Sequence, residues 1–146
     1  MNTFVRDSEN FEAWLNSNLF SDKTTLTRIF CLLDLCGGID PKSGDFTEDA
    51  LVKVLLEDID PIVRHEAAFA LYKLYNMGQI IGMRAMDALC DAACNDISTV
   101  ARHEAAESLG FFDFPKPIQT LQTLLNDPNP DVVATAKISL ERLSRL

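Results

Sequence analysis

Both histidines of this 146-residue chain are followed by glutamate, as His65-Glu66 and His103-Glu104. Imidazole nitrogen and carboxylate oxygen are transition-metal donors. Two His and one carboxylate with open positions form the ligand set of non-haem Fe(II) oxygen chemistry. The two motifs lie 103 − 65 = 38 residues apart. No single helix brings them together, so the chemistry depends on two elements set side by side. The pattern is not that of a zinc protease, which needs His at i and i+4; the i+4 positions here are Phe69 and Glu107. The competing reading is a solvated surface histidine that recurs because its repeat recurs.

The elements that must position these residues are helical throughout, with no alternating run long enough for a convincing strand. Asp60-Pro61-Ile62-Val63-Arg64-His65-Glu66-Ala67-Ala68-Phe69-Ala70-Leu71 returns as Ser98-Thr99-Val100-Ala101-Arg102-His103-Glu104-Ala105-Ala106-Glu107-Ser108-Leu109. A third copy, Pro130 to Leu140, follows Leu109 at a shift of 140 − 109 = 31. Each copy follows a shorter amphipathic helix, expected over Thr47–Glu57, Met83–Asn95 and Pro117–Asn126. Asp58-Ile59-Asp60-Pro61 and Asp127-Pro128-Asn129-Pro130 read as tight turns within repeats. Helix pairs at this period predict an all-α solenoid of HEAT-like helical hairpins in a right-handed stack. The expected organisation is one domain over 1–146, with capping helices in 1–38 and three helical pairs in 46–146. Ser8 and Ser21 or Asp22 are candidate caps of the first two helices, Gly37-Gly38 their stop, and Gly37 to Asp45 the longest loop.

Helix geometry then sets the faces. At 100° per residue, with Val63 at zero, Ala67, Ala70, Leu71 and Leu74 cluster near about 30° and His65 falls near about 200°. Phe69 and Tyr72 flank His65, and Glu66 lies on one shoulder. In the second copy Ala101, Ala105, Leu109 and Phe112 face the core, while His103, Glu107 and Gly110 face away, with Glu104 on the shoulder. The second helix of each pair lines the concave surface of such a stack. His65, Glu66, His103 and Glu104 therefore form the candidate metal site, with Phe69, Tyr72 and Glu107 as its wall. Neighbouring helices lie about 8–10 Å apart, close enough for two imidazoles to reach one ion.

Composition bounds the rest. Thirteen Lys+Arg against 22 Asp+Glu give a net charge of −9, which disfavours a phosphate-backbone partner and suits a cationic or basic protein partner. The longest apolar stretch, Ile29 to Cys36, is interrupted by Asp34 and too short to span a bilayer. The N-terminus lacks the basic and apolar regions of a signal peptide. The expectation is a cytoplasmic protein with a protein partner, no nucleic acid and no membrane. Cys31, Cys36, Cys90 and Cys94 then read as reduced thiols. Cys90 and Cys94, four apart on one helix, have the spacing to share a metal but read as small core residues. There is no Gly-rich phosphate loop, no Gly-x-Ser-x-Gly elbow and no Cys/His nucleophile pair.

Val63-Arg64-His65-Glu66-Ala67-Ala68-Phe69-Ala70-Leu71 and Ala101-Arg102-His103-Glu104-Ala105-Ala106-Glu107-Ser108-Leu109-Gly110 resemble the HEAT-like repeats named after phycobilisome lyases. Within that superfamily they look most like the deoxyhypusine hydroxylases. That family pairs two HEAT halves, each with two His-Glu motifs, around two irons. The resemblance covers 46–146, one half. It implies an iron cofactor with His65, His103 and Glu104 as ligands and Glu66 as an outer or alternate ligand. This chain carries two motifs where the family has four; the third repeat has Ala134-Thr135 there, and the first helices Thr27-Arg28. A two-iron site therefore requires a second chain. The resemblance implies a metal-binding protein, an oxygenase or an iron- or oxygen-responsive binder acting as a metal-dependent homodimer. The alternative is an interaction scaffold, or a lyase- or chaperone-like module, without chemistry of its own.

Overall fold

The computed structural model describes residues 44–78 and 82–146. Within them the chain forms six helices: α1 (Gly44–Glu57), α2 (Pro61–Asn76), α3 (Met83–Asn95), α4 (Thr99–Leu109), α5 (Pro115–Leu124) and α6 (Pro130–Ser144). There is no strand among the described residues. Consecutive helices pair as hairpins α1–α2, α3–α4 and α5–α6. The first helices α1, α3 and α5 pack into one layer and the second helices α2, α4 and α6 into another. This is an all-α solenoid of helical hairpins. The readings of Ser8, Ser21, Asp22, Cys31, Cys36, Gly37-Gly38 and the first two helices lie outside the described residues.

Two helices differ from expectation in their bounds, α1 at its start and α5 at both ends. Helix α1 begins at Gly44, inside the segment read as loop. Helix α5 begins at Pro115, because a proline at the first helical position loses no hydrogen bond and already has helical φ. No described helix is long and apolar enough to cross a membrane.

The predicted faces meet in one core. Val63, Ala67, Leu71, Leu74, Ala105, Leu109 and Phe112 are fully buried, together with Leu51, Leu55, Leu89 and Leu121 of the first helices. Tyr75 stacks on Phe112 with ring centroids 4.3 Å apart. Alanines at the helix contacts let backbones approach, and serines use the proximity. Ser108 Oγ donates to the Ala68 carbonyl at 3.3 Å, and Ser139 Oγ to the Ala106 carbonyl at 2.9 Å. Gly110, expected to face away, is buried instead. A Cβ there would meet Ser139 Oγ at 2.8 Å, so the absent side chain is what admits α6. Cys90 is buried as expected, whereas Cys94 is exposed. Four residues further along α3, Cys94 has turned past the edge of the buried stripe that ends at Ala92 and Ala93.

A charged brace, unread in the sequence, sets the spacing of the repeats. Each intra-repeat turn holds an aspartate whose Oδ1 accepts the backbone N–H two residues on: Asp58 from Asp60, Asp96 from Ser98 and Asp127 from Asn129, at 2.8–2.9 Å. The arginine six residues later reaches both its own turn and the next. Arg64 donates Nη1 to the Asp58 carbonyl at 2.8 Å. Its Nε and Nη2 go to the two carboxylate oxygens of Asp96 at 2.8 and 3.0 Å. Arg102 repeats the arrangement with the Asp96 carbonyl and the Asp127 carboxylate. The third copy has Val133 at this position, and the series ends. Two-pronged arginine–carboxylate bonds combine charge with fixed geometry. The Arg64 and Asp96 side chains are only 10% and 7% exposed.

A second device opens α3. Gly82, at φ +94°, offers no capping side chain, and buried Glu48 of α1 accepts the Ala85 N–H at 2.8 Å in its place.

Removing one member of a buried ion pair strands the other and typically costs about 3–5 kcal/mol, whereas an exposed pair is worth about 0–1 kcal/mol. Asp96→Ala is therefore expected to destabilise far more than Asp49→Ala, which breaks the exposed Arg84–Asp49 pair. Urea denaturation of the two variants checks the ranking; equal midpoints would show that the brace contributes nothing.

Candidate metal centre

His65 sits one residue after Arg64, and His103 one after Arg102. The arginines turn inward to the brace, so the imidazoles emerge on the side of the α2–α4–α6 layer away from the core. Both are half-buried there.

His65 reaches across from α2 to α4. Its Nε2 lies 3.1 Å from Glu104 Oε2, and its Nδ1 lies 3.2 Å from Glu66 Oε1. The hydrogen bond to Glu104 holds the imidazolium above its ordinary range. Burial opposes this, and the charges of Glu104 and Glu66 add to it. Glu104, expected on a shoulder, is only 7% exposed, because the neighbouring helix approaches on that side.

On α4 itself, donor atoms of His103, Glu104 and Glu107 all lie within 4.8 Å of one another. This is helix geometry: residues three and four apart share a face. The structure thus draws His103, Glu104 and Glu107 into one group. Glu104 ties His65 to that group, and Glu66 stands behind His65. The sequence reading assigned Glu107 to the wall, yet the i, i+1, i+4 spacing of His103, Glu104 and Glu107 was there to be read.

One turn further along lies an aromatic strip. Phe69 meets Tyr72 edge-on at 6.0 Å, and Tyr72 stacks on Phe111 at 4.1 Å. The Arg142 guanidinium of α6 lies 4.2 Å over the Phe111 ring. Phe111 and Arg142 were missed in the sequence. They enter through the tight α4–α6 contact at Gly110, which helical periodicity does not reveal.

Residues 47–141 match the family of HEAT repeats, well over half of the chain. The chain belongs to that family. Among solved structures, this HEAT-repeat chain is similar to human deoxyhypusine hydroxylase in complex with glycerol. The TM-score is 0.70 at 23% identity, over 95% of this chain and 45% of that one. It is also similar to an engineered protein, with a TM-score of 0.59 at 19% identity, over 95% of this chain and 68% of that one. At these identities the likeness is one of fold, and the chain spans less than half the length of the hydroxylase. No curated protein matches.

The raised His65 imidazolium couples to folding. A group whose pKa is higher folded than unfolded stabilises fully below its unfolded value, near about 6.5, and loses that contribution as pH rises through the folded value. In metal-free protein, the stability difference between wild type and His65→Gln is expected to be largest under mildly acidic conditions and to shrink as pH rises. Urea midpoints measured across pH check this. A difference that is flat with pH, or that grows with it, contradicts the hydrogen-bonded arrangement.

Proposed function

We propose that this HEAT-repeat chain binds a transition-metal ion, iron in preference, on the α2–α4 face that carries His65, Glu66, His103 and Glu104. The observation that carries the reading is the meeting of the two repeat-register motifs. Two motifs 38 residues apart come within hydrogen-bond reach, His65 Nε2 to Glu104 Oε2 at 3.1 Å, and three donors converge beside them. The donor chemistry fits the ion: imidazole suits Fe and carboxylate suits harder divalent ions. Such a cation would offset the repulsion between the Glu104 and Glu107 carboxylates.

Bound there, iron would supply redox and oxygen chemistry. The chain's own contribution is positional. Arg64 fixes the spacing of α2 and α4 and Arg102 that of α4 and α6, Glu104 joins the two motifs, and Phe69, Tyr72 and Phe111 form an apolar border beside the donors. The likeness to deoxyhypusine hydroxylase supports an oxygenase, or an iron- or oxygen-responsive binder. Two His-Glu motifs per chain make the active form a homodimer that sets two such faces together. A second reading, an interaction scaffold, draws on the half-buried Phe69–Tyr72–Phe111 strip. Aromatic side chains of this kind are enriched at protein interfaces.

Elemental analysis of protein purified without oxygen or chelator is expected to find about one iron per chain, the coordination of one ion by three or four protein donors. The His65→Ala/His103→Ala double variant should fold and lose it. Light scattering should give a dimer with Fe(II) and a monomer without. Full metal retention by the double variant contradicts the metal reading. A chain that binds iron and stays monomeric contradicts the paired face alone.

A further inference from the structure

We infer that the aliphatic row along the turn edge of the stack, Ile59 and Ile62 with Ile97 and Val100, docks an extended, basic segment of a partner protein. This edge lies at the α1–α2 and α3–α4 joints and shares no residue with the proposed metal site.

Ile97 is 94% exposed and Ile59 69%, each within the turn that joins the two helices of its repeat. Ile62 and Val100, three residues on, are each 43% exposed. The shift that relates the repeats relates these positions too: 59 + 38 = 97 and 62 + 38 = 100. A single surface aliphatic needs no explanation, whereas several side by side mark an interaction site. The core does not call for them, since α2 buries Val63, Ala67 and Leu71 and α4 buries Ala101, Ala105 and Leu109. The turn does not call for them either. The third repeat has Pro128 and Asp131 at the same positions, and its aspartate still closes the turn from Asn129 N–H to Asp127.

The brace makes the row continuous. Arg64 bonds the Asp58 carbonyl and both carboxylate oxygens of Asp96. Ile59 follows Asp58 and Ile97 follows Asp96, so the two stand on turns held one arginine side chain apart. Neighbouring helices are about 8–10 Å apart. That spacing matches every third residue of an extended chain, which rises about 3.3 Å per residue.

Charge selects the occupant. Residues 57–62, 95–100 and 126–131 carry six carboxylates and no lysine or arginine. Arg64 and Arg102, behind the turns, answer those of Asp96 and Asp127, while Glu57 and Asp131 are exposed. Aliphatics set in an acidic edge fit a segment whose apolar residues are separated by Lys or Arg. A second copy on the same edge would set acid against acid, and an anionic lipid surface would be repelled.

The test is selection from a random-peptide phage library on immobilised, metal-free full-length protein, followed by fluorescence anisotropy with a synthesised winner. Winners should carry Lys or Arg between apolar residues, and added salt should weaken their binding. Ile59→Ser and Ile97→Ser should each weaken binding by about tenfold or more, the loss expected for one buried aliphatic contact. Ile138→Ser, which removes an exposed aliphatic of α6, should leave it unchanged, and circular dichroism checks the fold of each variant. Selection of no peptide, winners without basic residues, or binding that survives both turn substitutions overturns the inference. So does a metal-free dimer that Ile97→Ser dissociates, which assigns the row to a second copy. Sedimentation with phosphatidylserine vesicles that Ile97→Ser abolishes overturns it in favour of a membrane.

Discussion

The site depends on the fork that Arg64 makes with Asp96. A helix layer held only by alanine and leucine contacts can slide, because apolar packing is largely non-directional. Arg64 removes that freedom. It grips its own turn at the Asp58 carbonyl and the next turn at both oxygens of Asp96. The same Asp96 also shapes the turn that starts α4, through the Ser98 N–H. One aspartate therefore fixes both the start of α4 and its distance from α2. His65 follows Arg64 directly, so the register that satisfies the fork is the register in which His65 meets Glu104. The cost of burying the charges is offset by four hydrogen bonds from the pair to its surroundings and to itself.

Repetition creates this scaffold, and the departures from repetition distinguish the two histidines. Arg64 and Arg102 are equivalent in position and in bonding. The next residues, His65 and His103, are equivalent in position only. His65 has α4 beside it and spends its ring on Glu104, whereas His103 looks along its own helix to Glu107. Downstream, Val133 ends the series of forks and Ala134 ends the series of histidines. The brace and the His-Glu motifs stop together at the third repeat. There α6 contributes Ser139 to the packing and Arg142 to the aromatic strip.

Much of this was legible in the sequence, for a physical reason. Buried faces obey helical periodicity, and a motif that recurs at 38 residues marks a stacked unit. The helices of the described residues and the core positions from Val63 to Phe112 followed. Arg64 was not legible as an internal residue. A long charged side chain on a helix reads as solvated until a specific acceptor is known to face it, and Asp96 lies 32 residues away. Gly110 was misplaced for the complementary reason. Periodicity treats a glycine as a weak surface residue, while tertiary packing uses it as the gap through which α6 approaches. Cys94 shows the limit of composition, since the usual burial of free cysteine yields to the angle at which α3 presents that position. Within the site, Glu104 and Glu107 differ in burial although both are acidic, because only Glu104 lies beneath the neighbouring helix.

The central claim is that the brace brings the two His-Glu motifs together on one face, which we propose binds a transition-metal ion. Anomalous diffraction from crystals of the chain grown with Mn(II) tests it most directly, since it locates the ion and identifies every atom that touches it. The account predicts one peak on the α2–α4 face, bonded to nitrogen and oxygen donors of the His65-Glu66 and His103-Glu104 motifs. A chain that takes up no ion on that face would contradict it.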